Sequence, residues 1–387
     1  MFASAPSPED SIHGSDPRAG DKHRRDGNEH FILAPAPLPA DCQLSSSFIG
    51  NFDHQCLGFG HGSPKAFQWE CMLGSGIMGG VGSVVFFFIL LFVAELSSDS
   101  AERNWDWFWF VMGVITKLSL GLCVGCQALG FGFWLYIQSN YRKPAPVYFN
   151  RERREACFFS AEECSPLIIP WEEVRCEISS ENVAGLSSIS CMMVITYEKD
   201  DVRLQVPVPC GSKYEAIGMW ETVRAYMEYE INEPADIPHE EGLREPGDPI
   251  YEGPHTFRNS RARVHRLYKA GKWDSSEIVL WYLYHGLTLW TLPFHLAAWE
   301  NRRIGRMKKD SIPQEHRAWF APLPREQWAK PSAKLMRMSA NVRKLRGRFP
   351  EACIFELFQA AYQEEDRFSK DGFGHQAVRK YFAEHTR

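Results

Sequence analysis

The stretch "GSGIMGGVG", Gly74 to Gly82, carries the spacing G-x-G-x-x-G at Gly74, Gly76 and Gly79, and its reading decides the fold. A dinucleotide-binding loop needs a strand before these glycines, an amphipathic helix after them and an acid about 20 residues on. Glu95 meets the last condition. The second is not met, because "MLGSGIMGGVGSVVFFFILLFVA", Met72 to Ala94, has no charge on any face. At about 1.5 Å per residue this run is long enough for the roughly 30 Å hydrocarbon core of a bilayer. The glycines are therefore expected to pack helices inside a membrane rather than cradle a pyrophosphate.

A second apolar run follows, "WDWFWFVMGVITKLSLGLCVGCQALGFGFWLYI", Trp105 to Ile137, broken from Trp107 on only by Lys117. Trp105, Trp107 and Trp109 at one end and Trp134 and Tyr136 at the other have the placing of an aromatic belt. Residues 72–94 and 107–137 thus predict a transmembrane α-helical hairpin in contact with membrane lipids. Gly76 with Gly80, and Gly121 with Gly125, are small-xxx-small pairs that let helix backbones approach closely, within the hairpin or in self-association. Lys117 has no acidic partner in either span and is expected to reach towards the outer interface. Cys123 and Cys126 have C-x-x-C spacing, but an apolar span lacks the polar access that redox or zinc chemistry needs.

Charge sets the orientation. The connection between the spans holds Glu95, Asp99, Glu102 and Asp106 against Arg103, whereas Arg142, Lys143, Arg151, Arg153 and Arg154 follow the second span. Basic residues stay on the cytoplasmic side, so both termini are expected inside, at a bacterial inner membrane. A net charge of −5 and a pI near 6.2 give no general attraction to nucleic acid. Eleven scattered cysteines, an odd number, argue against a disulfide framework.

Residues 1–40 are rich in Pro, Ser, Asp and Gly without an apolar signal core, and are expected to be disordered. Residues 41–71 form a pre-membrane segment. From 144 to 230 the pattern is strand-like. "PVYFN" and "REACFF" flank Arg151–Arg154 as a hairpin, and "ISCMMVITYEK" and "VRLQVPVP" flank Asp200–Asp201 as another. "SKYEAIGMWETVRAYMEYE" then has helical periodicity. The expected fold is a membrane hairpin plus an α+β cytoplasmic domain, a small antiparallel barrel or sandwich with a C-terminal helix, and a helical tail. Its element order is similar to that of the pleckstrin-homology-like (PH-like) domains attached to bacterial membrane hairpins.

"PVYFNRERREACFF", "IIPWEEVRC" and "WETVRAYMEYE", placed behind a two-helix hairpin, resemble a family of uncharacterised proteobacterial membrane proteins often encoded near type VI secretion toxins. The resemblance covers about residues 70–300. It implies an immunity or accessory role, with a secreted toxin or secretion component as partner, and it supplies no catalytic residues.

Residues 231–260 read as an acidic, Pro-rich linker. "EIVLWYLYHGLTLWTLPFHLAAWE", 277–300, is apolar enough to span, but spanning would place the basic stretch after Arg302 outside. It is expected to be an interfacial or re-entrant helix anchored by Trp281, Trp290 and Trp299. Residues 301–387 read as a basic, then helical tail, ending in two helices around Lys370–Gly374.

Two groups of residues are candidates for contact. Arg151, Arg153 and Arg154 lie close to the second span and could meet anionic headgroups or a partner, each worth about 1 kcal/mol near a charged surface. Trp171, Glu172 and Glu173 read either as a partner-binding patch with an exposed indole or as a strand edge with a packed one. No catalytic dyad, metal motif or cofactor loop stands out. The expectation is a non-enzymatic membrane protein whose cytoplasmic domain binds a partner. The alternatives are a lipid-sensing scaffold, or a membrane-associated enzyme whose acids meet His265, His285 or His295 only on folding.

Overall fold

A computed structural model describes residues 18–25, 28–60, 62–97, 105–141, 145–159, 166–182, 189–199, 202–238, 243–245, 247–311 and 316–370. Within them ten strands form two antiparallel five-stranded sheets. The first has the order β1 (Lys22–Arg25), β2 (Asn28–Ala34), β8 (Arg175–Asn182), β9 (Ile189–Lys199), β10 (Val202–Cys210). The second runs β3 (Ile49–Phe52), β4 (Cys56–Phe59), β5 (Val147–Asn150), β6 (Glu155–Phe158), β7 (Leu167–Pro170). The β10 alternation has a direct cause. Val206 and Val208 point into the core, while Pro207 and Pro209 take the opposite face of an edge strand, where a missing N–H costs least.

Helix α3 (Lys213–Met227) lies between the sheets, with every residue from Ala216 to Met227 buried. Ser212 caps it by accepting from the Glu215 N–H. The helix runs so close to the chain entering β3 that a Cβ on Gly218 would sit 2.5 Å from the Gln43 carbonyl oxygen. Trp220 of α3 meets Trp171 at a ring separation of 5.2 Å, and Trp171 meets Phe149 of β5 at 5.3 Å. The α+β class and the antiparallel strand pairing agree with the sequence expectation.

The N-terminal region does not. Residues 18–40, expected to be disordered, supply β1 and β2, and Phe31 and Leu33 enter the core. The reason is tertiary: β2 pairs with β8, far along the chain, and helix α8 (Ile354–Lys370) covers it. The 41–71 segment likewise supplies β3 and β4. Because β4 pairs directly with β5, with Phe59 opposite Val147, the two long helices are an insertion between neighbouring strands of one sheet.

Those helices are α1 (Ala66–Ser97) and α2 (Trp105–Tyr141), packed antiparallel. Phe88 and Phe92 meet Phe108 at one end, Ser83 Oγ donates to Ser119 Oγ at 2.8 Å in the middle, and Trp69 meets Trp134 at the other end. A Cβ on Gly80 would lie 3.1 Å from Cys123 Cβ, so this glycine sits at the helix crossing. Gly121 and Gly125 do not pack within the hairpin. A Cβ on either would meet nothing within 4 Å, because both point away from α1. Gly76 belongs to a stretch whose side-chain surroundings lie outside the described set. Trp105–Ile137 is the one helix among the described residues that is long and apolar enough to cross a membrane, with only 17% of its most apolar window buried. The described apolar part of α1, Gly82–Ser97, is shorter. Lys117 is exposed on α2.

Helices α4 (Pro254–Lys269), α5 (Ser275–Leu287) and α6 (Leu292–Ser311) surround the first turns of α1 through Trp69, Phe257, Phe294 and Ala297. The apolar stretch 277–300 is thus two helices. It breaks where Leu289 and Trp290 adopt left-handed φ values of 65° and 61°, just before Pro293. Helix α7 (Ala333–Arg348) packs on α8, and α8 on β2: Tyr362 Oη donates to the Pro35 carbonyl at 2.9 Å. The second tail helix expected after Gly374 lies outside the described residues.

Candidate functional site

The β5–β6 turn carries the first group of predicted contact residues and turns them inward. Arg151 is 1% exposed. Its guanidinium donates to the carbonyls of His54 (2.6 Å) and Ile231 (2.9 Å) and lies over the Tyr226 and Tyr229 rings. Arg154, in left-handed conformation, pairs with Glu228 at 2.8 Å and Glu172 at 3.4 Å. Arg153 donates to the Trp319 and Ala318 carbonyls. The headgroup role assigned to these arginines is therefore corrected. Their charges are met by carbonyls and acids inside the fold, and Arg153 helps to dock the 316–329 segment, which also hands the Trp319 indole N–H to Glu155 and the Leu323 N–H to Glu152.

The second group is divided. Trp171 is fully buried against Trp220, so it cannot be an exposed partner contact, and the packed-indole reading is the correct one. Glu172 accepts from the Ser332 N–H at the start of α7, besides Arg154. Glu173 alone is exposed. No surface site is assembled from the six residues.

What folding does assemble is a polar cavity where the helical hairpin joins the sheet domain. It measures about 570 Å³ and is lined, among others, by Lys65, Glu70, Thr256, Ser260, Tyr284 and His285. Helix α1 brings Glu70, α4 brings Thr256 and Ser260, and α5 brings the adjacent Tyr284 and His285. Tyr284 Oη donates to Glu70 Oε2 at 2.7 Å, and His285 Nδ1 lies 3.8 Å from Glu70 Oε1. Burial raises the Glu70 carboxyl above its ordinary range, against the Tyr284 hydrogen bond. Burial also lowers His285 to about 4, so the imidazole is neutral at physiological pH, and its Nδ1 has no hydrogen-bond partner. Next to Glu70 on α1, the Trp69 indole N–H donates to Glu300 Oε2 at 2.6 Å, and burial lifts Glu300 to about 7.

A neutral imidazole beside a carboxyl of raised pKa can exchange a proton with a bound molecule. Among the described residues, however, no Ser, Thr or Cys hydrogen-bonds the His285 ring, so the pair lacks an attached nucleophile. The sequence marks His285 but not its partners. Glu70 stands just before the uncharged run, and Glu300 more than 200 residues beyond it, so no spacing connects them. His265 bonds Tyr282 Oη instead, away from this cavity. No protein-family model, curated protein or solved structure matches this chain.

Proposed function

We propose that this chain is an inner-membrane protein, anchored by the α1–α2 hairpin, whose cytoplasmic sheet domain binds a partner in an immunity or accessory role beside a secreted toxin. The observation that carries the membrane part is the outward surface of the hairpin: Phe110, Leu118 and Leu129 are 71%, 69% and 77% exposed. A continuous apolar surface of this kind marks contact with lipid or protein rather than water. Trp290 and the exposed Val279, Leu280 and Leu283 of α5 continue it beside the base of the hairpin, as an interfacial element would.

The PH-like reading of the domain rests on element order. Strands β4–β7 run as one antiparallel meander, β8–β10 as a second, and α3 follows to close them. The partner is read from the resemblance of "PVYFNRERREACFF" and "IIPWEEVRC" to proteins encoded near secretion toxins. Co-expression with a secretion toxin encoded by a neighbouring gene tests it, and a neighbourhood without one would itself count against the reading. Protection of the cell, and co-purification of the two proteins from detergent extracts, are the expected results. Full toxicity with no co-purification would end the immunity reading.

A second reading, a membrane-associated enzyme, is favoured by one observation: folding places His285 against Glu70 on a polar cavity. It predicts that His285→Ala abolishes an activity while leaving protection intact.

A further inference from the structure

The first sheet places His23, His30 and Glu177 side by side on β1, β2 and β8, three adjacent strands. His23 and His30 are direct cross-strand partners, and their rings stack in parallel, 4.9 Å between centroids and 6° between planes. Glu177 sits two residues along β8 from Ser179, the partner of His30, so its longer side chain reaches the histidines diagonally. All three share the face opposite the core, since their strand neighbours Phe31, Cys176 and Ile178 are the residues that enter it. One ligand atom from each lies within 4.8 Å of the other two, and all three residues are half-buried.

We propose that His23, His30 and Glu177 form a binding site for a divalent transition metal ion, with Zn²⁺ as the ion of best fit. Two imidazoles and one carboxylate are the donor set that borderline metals prefer over calcium or magnesium. Three protein ligands leave one tetrahedral position for water or for a ligand from outside. Zinc with bonds of about 2.0–2.1 Å needs its ligand atoms about 3.4 Å apart, so side-chain rotations of roughly 1 Å close the site. The strands need not move, because the ladder from β1 to β8 already fixes the three Cα positions. Partial burial restricts the side chains before the metal arrives and lowers the ordering cost of binding. The site stands apart from the cavity at Glu70 and His285 and does not depend on the proposed toxin partner.

The full chain, purified in detergent and stripped with chelator, is to be titrated with Zn²⁺ by calorimetry, and with Co²⁺ by visible absorption. The expected result is one tightly held ion per chain and a Co²⁺ spectrum of tetrahedral intensity. His23→Ala, His30→Ala and Glu177→Gln should each weaken binding at least about tenfold, and His265→Ala should leave it unchanged. Unchanged affinity in the three variants, or no binding by the wild type, overturns the site. Should a variant fail to fold, carbethoxylation of the wild type decides, mapped by mass spectrometry. Zn²⁺ must shield His23 and His30 from the reagent, and equal modification with and without Zn²⁺ refutes the proposal.

Discussion

Glu300 is 2% exposed and takes a hydrogen bond from the Trp69 indole, and burial lifts its carboxyl from an ordinary 4.5 to about 7. The folded chain therefore keeps a proton that the unfolded chain releases between about pH 4.5 and 7. This contribution is complete below the lower value and is lost as pH rises through the upper one. His285 works in the opposite direction. Held neutral down to about 4, it costs stability as pH falls below its ordinary 6.5. Glu300→Gln keeps the shape and removes the titration. Relative to this variant, the wild type should lose up to about 3 kcal/mol between pH 5 and 8, read as a steeper fall in melting temperature in detergent. Parallel pH profiles would mean that Glu300 ionises freely. Burial also explains why Arg151 and Arg154 look like surface contacts in the sequence, whereas the packed reading of Trp171 holds. A run such as "NRERR" looks solvated until the chain supplies carbonyls from His54 and Ile231 and an acid from Glu228, none of which is local.

At the scale of elements, Gly80 and Gly121 are alike in sequence and opposite in setting. A side chain at Gly80 would press on Cys123 across the helix pair, whereas one at Gly121 meets open space. Gly80→Leu should separate α1 from α2 and cost about 1–3 kcal/mol by overpacking; Gly121→Leu should leave the melting temperature of the detergent-solubilised chain within a degree or two. Equal losses in the two variants would show that the helices do not cross as described. The elements that sequence made legible are those whose partners are near in the chain: β5 with β6, β9 with β10, and α3 with its apolar periodicity. The four strands before the hairpin were not legible. "KHRR" and "CLGF" are short, and although β1 pairs with β2 and β3 with β4 locally, both hairpins join their sheets across long separations, β2 with β8 and β4 with β5 across the whole insertion. The break at Leu289–Trp290 rests on left-handed backbone at two non-glycine residues, for which the apolar run carries no local signal. The juxtaposition of Glu70, His285 and Glu300 had no local signal at all.

For the whole molecule, the insertion of α1 and α2 between paired strands constrains topology more than charge bias does. The chain leaves the second sheet at Phe59 and returns to it at Val147, so whatever surrounds the hairpin tip, both of its ends open on the same side. Helix α8 then packs against β2 through Phe31 and Phe355, and Gln359 donates to the Gly20 carbonyl. The segment after α6 therefore lies on the side that holds β1 and β2, and a single crossing of a bilayer by residues 277–300 would tear α8 from that sheet. On the proposed membrane reading, every described residue outside the hairpin and its interfacial flank lies in one compartment, the cytoplasm. Cys353, exposed just ahead of α8, reports on this directly. A membrane-impermeant maleimide, with the adduct mapped by mass spectrometry, should leave Cys353 unmodified in intact spheroplasts and label it once the inner membrane is opened. Labelling before permeabilisation would place the sheet domain outside. Because that domain is a single core, β1–β10, α3, α7 and α8 would all have to move with it, and the cytoplasmic partner would fall with them.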